Sequence, residues 1–152
     1  MCRKLEIEFS EAGITVSAAL LEKEEPELSK VLWNDLEKPV KFACYNTLST
    51  GCLFIGKARP PKSPVKTGTQ AVPVGKKQIL LCDMTPGEIV YTGLDLWACY
   101  GPETEPLVPG GSVVVKVDDE DIDAFIEAGK FIWNAQQITH KLATMIVRRK
   151  ES

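Results

Sequence analysis

Hydrophobic and polar residues alternate along much of the chain, with the period of two that is typical of β-strands. The clearest case is Leu5-Glu6-Ile7-Glu8-Phe9, and the following Ser10-Glu11-Ala12-Gly13 predicts a hairpin turn into a second, antiparallel strand. The pattern predicts strands over residues 4–9, 14–20, 40–45, 52–55, 78–82, 88–91, 94–100, 112–117 and 141–147. Nine segments thus have strand character, and we expect about eight strands in the fold.

Two segments change to the spacing of an amphipathic helix. The first has apolar residues at helical spacing after Pro26, a residue that suits the first helical turn, and Pro39 ends it. The second opens at Asp118-Asp119-Glu120-Asp121, where acidic side chains interact favourably with the helix dipole. It carries Phe125 on its apolar face, and Gly129 is expected to end or weaken it. Both helices are short.

Residues 59–70 are too rich in proline and polar residues to pair in a sheet. They predict a surface loop. A loop of this length in a compact domain is usually either a functional cover or a mobile segment, and the sequence leaves both open.

The 152 residues predict one domain over the whole chain, 1–152, because this length buries one ordinary core. The net charge is −3, and the basic groups Lys76-Lys77 and 148–150 are not interleaved with aromatic residues, which argues against nucleic acid as a partner. No apolar run approaches the length of a membrane span, and the start does not resemble a signal peptide. The five cysteines form no C-x-x-C pair, so we expect a reduced cytoplasmic protein without a metal site.

About eight strands and two short helices favour a closed barrel, because closure removes exposed strand edges. The order of segments resembles a bacterial family of cyclophilin-like proteins that is known only as a domain of unknown function. The resemblance covers nearly the whole chain and is carried by the hairpin, the helix after Pro26, the proline-rich loop, and the blocks 87–91, 96–101 and 127–136.

That resemblance implies a mostly β, cyclophilin-like closed barrel that is often oligomeric and has a pocket at one open end. One distant relative, cucumopine synthase, condenses histidine with 2-oxoglutarate in a Pictet–Spengler-type cyclisation without a redox cofactor. The chain departs from the family pattern at 112–115, where a glycine, asparagine and histidine segment is expected, so a role carried by that histidine is in doubt. The groove residues of true prolyl isomerases have no counterpart here, and we do not expect that activity.

Several strand ends carry groups suited to acid and base chemistry. Glu88 is flanked by Gly87 and apolar residues, and an inward-facing glutamate there needs a partner or a raised pKa. Tyr100 and Tyr45 each stand near the end of a strand. These three are the candidate catalytic residues. Glu103 is a further carboxylate, although a solvated loop position is the favoured interpretation for it.

Five residues are candidates for substrate binding: Asn46, Arg59, Trp97, Glu103 and His140. Asn46 suits the orientation of a small polar ligand, but it is equally typical of a turn. Arg59 suits a substrate carboxylate, although loop arginines are more often solvated. His140 is the only histidine, and a structural or exposed role is favoured for it.

Two hypotheses follow. The first is a small enzyme with a cofactor-free acid/base site, acting on a polar, carboxylate-bearing metabolite. The second is a non-catalytic domain that binds a small ligand or assembles into a homo-oligomer. For assembly, Trp33 and Trp133 are the residues of interest, although core packing is the favoured interpretation for both.

Overall fold

A computed structural model describes residues 3–58 and 66–150. The strands are β1 (Lys4–Phe9), β2 (Ile14–Leu20), β3 (Val40–Asn46), β4 (Gly51–Lys57), β5 (Glu88–Tyr91), β6 (Leu96–Glu103), β7 (Ser112–Val117) and β8 (Ala143–Arg149). The helices are α1 (Pro26–Asp35) and α2 (Ile122–Asn134). Short 3-10 turns lie at Leu81–Asp83 and Asp119–Asp121, and a π-helical turn at Ala135–Thr139 follows α2.

All eight strands join one closed, antiparallel barrel in the order β1-β2-β7-β5-β6-β4-β3-β8. The predicted mostly β class and closed barrel are confirmed. Alternation along β1 explains the arrangement, because Leu5, Ile7 and Phe9 are buried in the core while the glutamates between them face outward. In the described part of the chain, no helix is long and apolar enough to cross a membrane.

The two helices cover opposite ends of the barrel. Helix α1 follows the end of β2, and its Leu28 and Leu32 pack into the barrel core. Helix α2 follows the end of β7 and buries Phe125 and Ile132 in the same core. We call these the α1 end and the α2 end.

A second, smaller hydrophobic cluster lies on the outer face of the barrel wall. Along β6, Leu96, Ala98 and Tyr100 belong to the barrel core, whereas Cys99 belongs to the outer cluster with Leu81. Its other buried members are Leu53, Met84 and Val90, with Ile79, Trp97 and Val113 packed against them. We call this the outer-wall cluster.

The predicted strand at 78–82 is wrong. The segment instead ends in the 3-10 turn Leu81–Asp83, with the Leu81 side chain fully buried in the outer-wall cluster. The closed barrel offers no free edge in the described residues for a further strand. The alternation of apolar residues reflected burial against the wall rather than pairing within it.

The expectation that Gly129 ends or weakens α2 is also wrong, because the helix continues to Asn134. The Tyr100 ring packs against Gly129 so closely that a Cβ there would lie 2.2 Å from Tyr100 Cγ. Gly129 is therefore explained by packing rather than by helix termination.

The favoured interpretation of core packing holds in part for Trp33, which packs against the core, and not for Trp133. Trp33 is only partly buried, and its ring lies between the guanidinium groups of Arg3 and Arg149, at 4.9 and 4.5 Å from the ring centroid. Trp133 is 44% exposed. Core packing is thus wrong for Trp133.

Candidate functional site at the α1 end

A cavity of about 560 Å³ lies beside α1 at the α1 end of the barrel. Its volume falls within the range of small-molecule sites. The lining residues come from the start and face of α1, from the 66–76 segment and from the β5–β6 turn: Glu25, Glu27, Leu28, Val31, Asp35, Lys66, Pro73, Val74, Gly75, Lys76 and Gly93. The cavity is therefore bounded mainly by one helix and one loop segment, with a contribution from the β5–β6 turn.

Helix α1 forms the acidic wall of this cavity. Glu27, Val31 and Asp35 are spaced four residues apart, which places them in one row along the helix. Leu28 lies beside that row, with its side chain packed into the barrel core. The wall therefore presents two carboxylates with an apolar surface between them.

The opposite wall, residues 66–76, is fixed to the barrel by backbone hydrogen bonds. The Gly68 N–H donates to the Thr92 carbonyl at 2.8 Å, and the Val74 N–H donates to the Gly110 carbonyl at 3.2 Å. The Ser112 hydroxyl donates to the Val74 carbonyl at 3.1 Å. This wall is held in place before any ligand arrives, which limits the entropy lost on binding.

Glu25 joins the two walls. Its side chain is only 2% exposed and accepts the N–H of Lys76 at 2.7 and 3.0 Å and that of Lys77 at 2.7 Å. Hydrogen bonds to a charged group are stronger than neutral ones, so this buried carboxylate firmly anchors the loop beside α1. It positions the cavity wall.

The cavity holds charges of both signs that do not neutralise each other. Glu27 and Asp35 lie on the α1 wall, and Lys66 and Lys76 on the loop wall. Within the described chain, none of these four side chains forms an ion pair within 4.0 Å. A molecule with an ammonium at one end and a carboxylate at the other complements this arrangement.

Asp35 also connects the cavity with the barrel interior. The hydroxyl of Tyr91, a buried residue of β5, donates toward Asp35 Oδ2 at 2.5 Å and toward the Gly93 carbonyl at 3.0 Å. Burial, and then the hydrogen bond to Asp35, raise the pKa of Tyr91 above its usual range. Burial also raises the pKa of nearby Asp95, and Lys57 opposes that shift. Tyr91 thus stays protonated and orients the Asp35 carboxylate.

The predicted catalytic residues are not brought together. Tyr45 lies on the outside of the barrel, 36% exposed, with the Lys57 ammonium 6.0 Å from its ring centroid. Tyr100 points into the core instead. Glu88 lies elsewhere again, where its Oε1 accepts from the Thr85 N–H at 2.6 Å and from the Thr85 hydroxyl at 3.1 Å.

Tyr100 and Asn46 form a buried pair near the α2 end. The Tyr100 hydroxyl donates to Asn46 Oδ1, and the Asn46 amide group donates to the carbonyls of Thr47 at 2.7 Å and Gly51 at 3.2 Å. Burial raises the pKa of Tyr100 beyond its usual range. These contacts account for both side chains as parts of the packing at this end.

Glu103 is buried, at 7% exposed, rather than solvated as the favoured interpretation had it. Trp97 packs against the outer-wall cluster, with its indole N–H buried and without a partner among the described residues. His140 is exposed and has a positive φ of 54° at the end of the π-helical turn. Arg59 lies outside the described residues. The functional roles assigned to these four residues stay predictions, as do those assigned to Glu88, Tyr45, Tyr100 and Asn46.

No sequence motif marks Glu25, Asp35 or Tyr91 as functional residues. Helical spacing places Val31 and Asp35 on one helix, but this spacing predicts packing of an apolar stripe and indicates no role for the carboxylate. Tyr91 and Asp35 are 56 positions apart, and nothing in their sequence neighbourhoods indicates that they meet.

No known protein family matches the chain, and neither does any curated protein. Among solved structures, McbB in complex with tryptophan is similar over 97% of this chain, with 30% identity and a TM-score of 0.82. The chain spans 45% of the length of McbB. A hypothetical protein from Archaeoglobus fulgidus, whose structure was determined in solution, matches 98% of this chain and 95% of its own at 14% identity, with a TM-score of 0.52. The second similarity concerns the fold alone.

Proposed function

We propose that the protein is a small-molecule enzyme that binds an amino-acid-like metabolite in the α1-end cavity. The observation that carries this proposal is the pair of oppositely charged, unpaired walls around a cavity of about 560 Å³. The similarity to McbB, whose structure contains tryptophan, supports the same class of ligand.

In this proposal the ligand spans the cavity. Its carboxylate faces Lys66 and Lys76, and its ammonium faces Glu27 and Asp35. The apolar part of the ligand contacts the hydrophobic lining, which comprises Leu28, Val31, Pro73 and Val74. Each group on the ligand then has a chemical counterpart on the protein.

Asp35 is the proposed base of the site. The Tyr91 hydroxyl donates to Asp35 Oδ2, which fixes the orientation of the carboxylate. The other carboxylate oxygen, Oδ1, is left to accept a proton from a ligand in the cavity that Asp35 lines. In a Pictet–Spengler-type condensation, the ammonium of the ligand first gives a proton to Asp35, and the free amine then adds to a carbonyl. Asp35 returns that proton to the hydroxyl group formed, which leaves as water to give an iminium, and a ring carbon then attacks the iminium carbon. The ring carbon must finally lose its proton. Asp35 accepts that proton in our proposal.

Binding and turnover are tested with tryptophan and with histidine, each alone by calorimetry and then together with a 2-oxo acid, with mass spectrometry of the products. We expect binding of at least one amino acid and a product whose mass is the sum of the two substrates less one water. Asp35→Asn preserves an oxygen for Tyr91 and is expected to weaken binding about tenfold and to lower turnover about a hundredfold.

Lys76→Ala is expected to weaken binding several-fold, whereas Lys77→Ala is the matched control. Lys77 is also exposed and does not line the cavity, and the Lys77→Ala variant keeps the backbone N–H that donates to Glu25. Failure of all amino acids to bind, or equal weakening by Lys76→Ala and Lys77→Ala, would contradict the proposal.

Self-association is a second proposed property, and exposed apolar side chains near the α2 end favour it. Phe131, Trp133, Ile138 and Leu142 are 37%, 44%, 59% and 67% exposed. All four lie within residues 131–142, and exposed apolar side chains concentrated in one region commonly mark an interface. We propose that a second copy of the chain covers them.

A further inference from the structure

A second cavity, of about 470 Å³, lies beside another face of helix α1. Lys30, Trp33 and Asn34 line it from the helix, at positions that recur with helical spacing. The barrel supplies the other wall, where Arg3 stands just before β1 and Arg149 ends β8. Among the described residues, none lines both this space and the α1-end cavity. We call the second space the basic cavity.

Three cationic side chains line the basic cavity: Arg3, Lys30 and Arg149. The pairing of β1 with β8 brings the two arginines together, because it sets Arg149 opposite Leu5, two positions from Arg3. Their guanidinium carbons lie 4.9 and 4.5 Å from the centroid of the Trp33 ring. The indole ring attracts both cations and therefore holds two guanidinium groups beside the cavity.

The positive charge of the basic cavity is only partly neutralised. Among the described residues, Glu22 is the only carboxylate that lines it. Glu22 pairs with Arg3, because its Oε1 lies 3.4 Å from Arg3 Nε and its Oε2 accepts the Arg3 backbone N–H at 3.0 Å. Within 3–58 and 66–150, neither Lys30 nor Arg149 has a carboxylate within 4.0 Å. Two positive charges therefore remain without a counter-charge.

Hydrogen-bond donors accompany these two charges. Arg149 donates from Nε and Nη2 to the Trp33 carbonyl at 3.0 and 2.6 Å, which satisfies a carbonyl of the last turn of α1 and fixes the direction of the guanidinium. A guanidinium has five N–H groups, so three remain on Arg149 for a ligand. The exposed Lys30 ammonium adds three more. The cavity thus offers charged donors from two different elements of the fold.

We propose that the basic cavity binds a small organic molecule through a dianionic phosphate group. A phosphate monoester carries nearly two negative charges at neutral pH, because its second pKa is about 6, and it thereby matches the two uncompensated cations. A carboxylate or a phosphodiester carries one charge and leaves one cation unmatched. The cavity has room for more than the phosphate group, and Trp33 and Pro26 supply apolar surface for the remainder. This site does not depend on the function proposed for the α1-end cavity.

The test is an NMR titration of the ¹⁵N-labelled full chain with phenyl phosphate, compared with benzenesulfonate, at a pH where the phosphate is a dianion. Both probes join an aromatic ring to a tetrahedral group with three terminal oxygens, but the sulfonate carries only one charge. We expect saturable shifts of the Trp33 indole signal and of the Lys30 and Asn34 amide signals, with a millimolar Kd for phenyl phosphate. Benzenesulfonate is expected to bind about tenfold more weakly, because one cation stays unmatched.

Three variants locate the binding. Lys30→Gln removes one charge from the basic cavity and is expected to weaken the binding of phenyl phosphate about fivefold. Lys38→Gln is the matched control, because Lys38 is exposed and lines neither cavity, and Lys76→Ala in the α1-end cavity is likewise expected to leave the Kd unchanged. The proposal is overturned if no saturable shift occurs, if both probes bind equally, or if Lys30→Gln weakens binding no more than Lys38→Gln does. Loss of binding in Lys76→Ala alone would assign the phosphate to the α1-end cavity and also overturn it.

Discussion

Glu103 should make the stability of the protein decrease as the pH rises through neutrality. Burial raises its pKa from 4.5 to about 7 in the folded chain, whereas the unfolded chain exposes the carboxyl group to water. At pH values between about 4.5 and 7, Glu103 therefore keeps a proton in the folded protein that it has released in the unfolded chain. Raising the pH therefore favours unfolding, with the loss beginning near pH 4.5 and complete above about pH 7.

The size of the effect follows from the shift in pKa. One pKa unit corresponds to about 1.4 kcal/mol, so the shift at this 7% exposed residue corresponds to about 3 kcal/mol of stability. Glu103→Gln replaces the acid with a neutral group of the same shape, which cannot ionise. The variant should therefore gain about 3 kcal/mol relative to the wild type between pH 4.5 and pH 9.

The measurement is the free energy of unfolding in urea at several pH values over that interval, for the wild type and for Glu103→Gln. Other titrating groups affect both proteins alike, so the difference between the two curves isolates Glu103. Glu37→Gln is the matched control, because Glu37 is exposed and the same charge is removed. Parallel curves for the wild type and Glu103→Gln would refute the reasoning.

Two further predictions concern packing. Gly129→Ala places a methyl group 2.2 Å from Tyr100 Cγ, so we expect the free energy of unfolding in urea to fall by about 1–3 kcal/mol, despite the better helix propensity of alanine. Lys130→Ala, on the exposed side of α2, is the control and should change the free energy of unfolding little. Equal stability of the two variants would contradict the close packing of Gly129 against Tyr100. For self-association, light scattering at micromolar concentrations should give a mass above the 16.7 kDa of one chain, and Trp133→Ala should lower it, while a monomeric wild type would remove the proposed interface.

The fold class could be predicted from the local pattern of apolar and polar residues. Residues 4–9 alternate strictly, and the structure places the apolar members of β1 in the core. The spacing after Pro26 likewise identified α1 as a helix with one apolar side. Such patterns depend on neighbours along the chain, which the sequence displays directly.

The residues of the candidate site could not be predicted from the sequence in the same way. Tyr45 and Tyr100 each stand near a strand end, which made them candidate catalytic residues. Their side chains nevertheless point to opposite sides of the barrel wall. A solvated loop position is the favoured interpretation of Glu103 from sequence, yet Glu103 pairs with Gly51 of β4 and its side chain is buried. Which face a strand-end side chain occupies depends on pairing that local sequence does not determine.

The sequence by itself indicated the eight strands of the barrel, the two helices and the closure, although it also predicted a ninth strand at 78–82 that does not form. The eight strands, the helices and the closure follow from short-range periodicity and from the need to bury one face of each strand. Only the tertiary structure decided which charged side chains are buried and which groups they contact. Asp35 meets Tyr91 across 56 positions, and Glu25 holds a loop 51 positions away, because closing the barrel brings those segments together. The pKa of Glu103 depends on the same closure, since burial is a property of the folded chain and not of any segment.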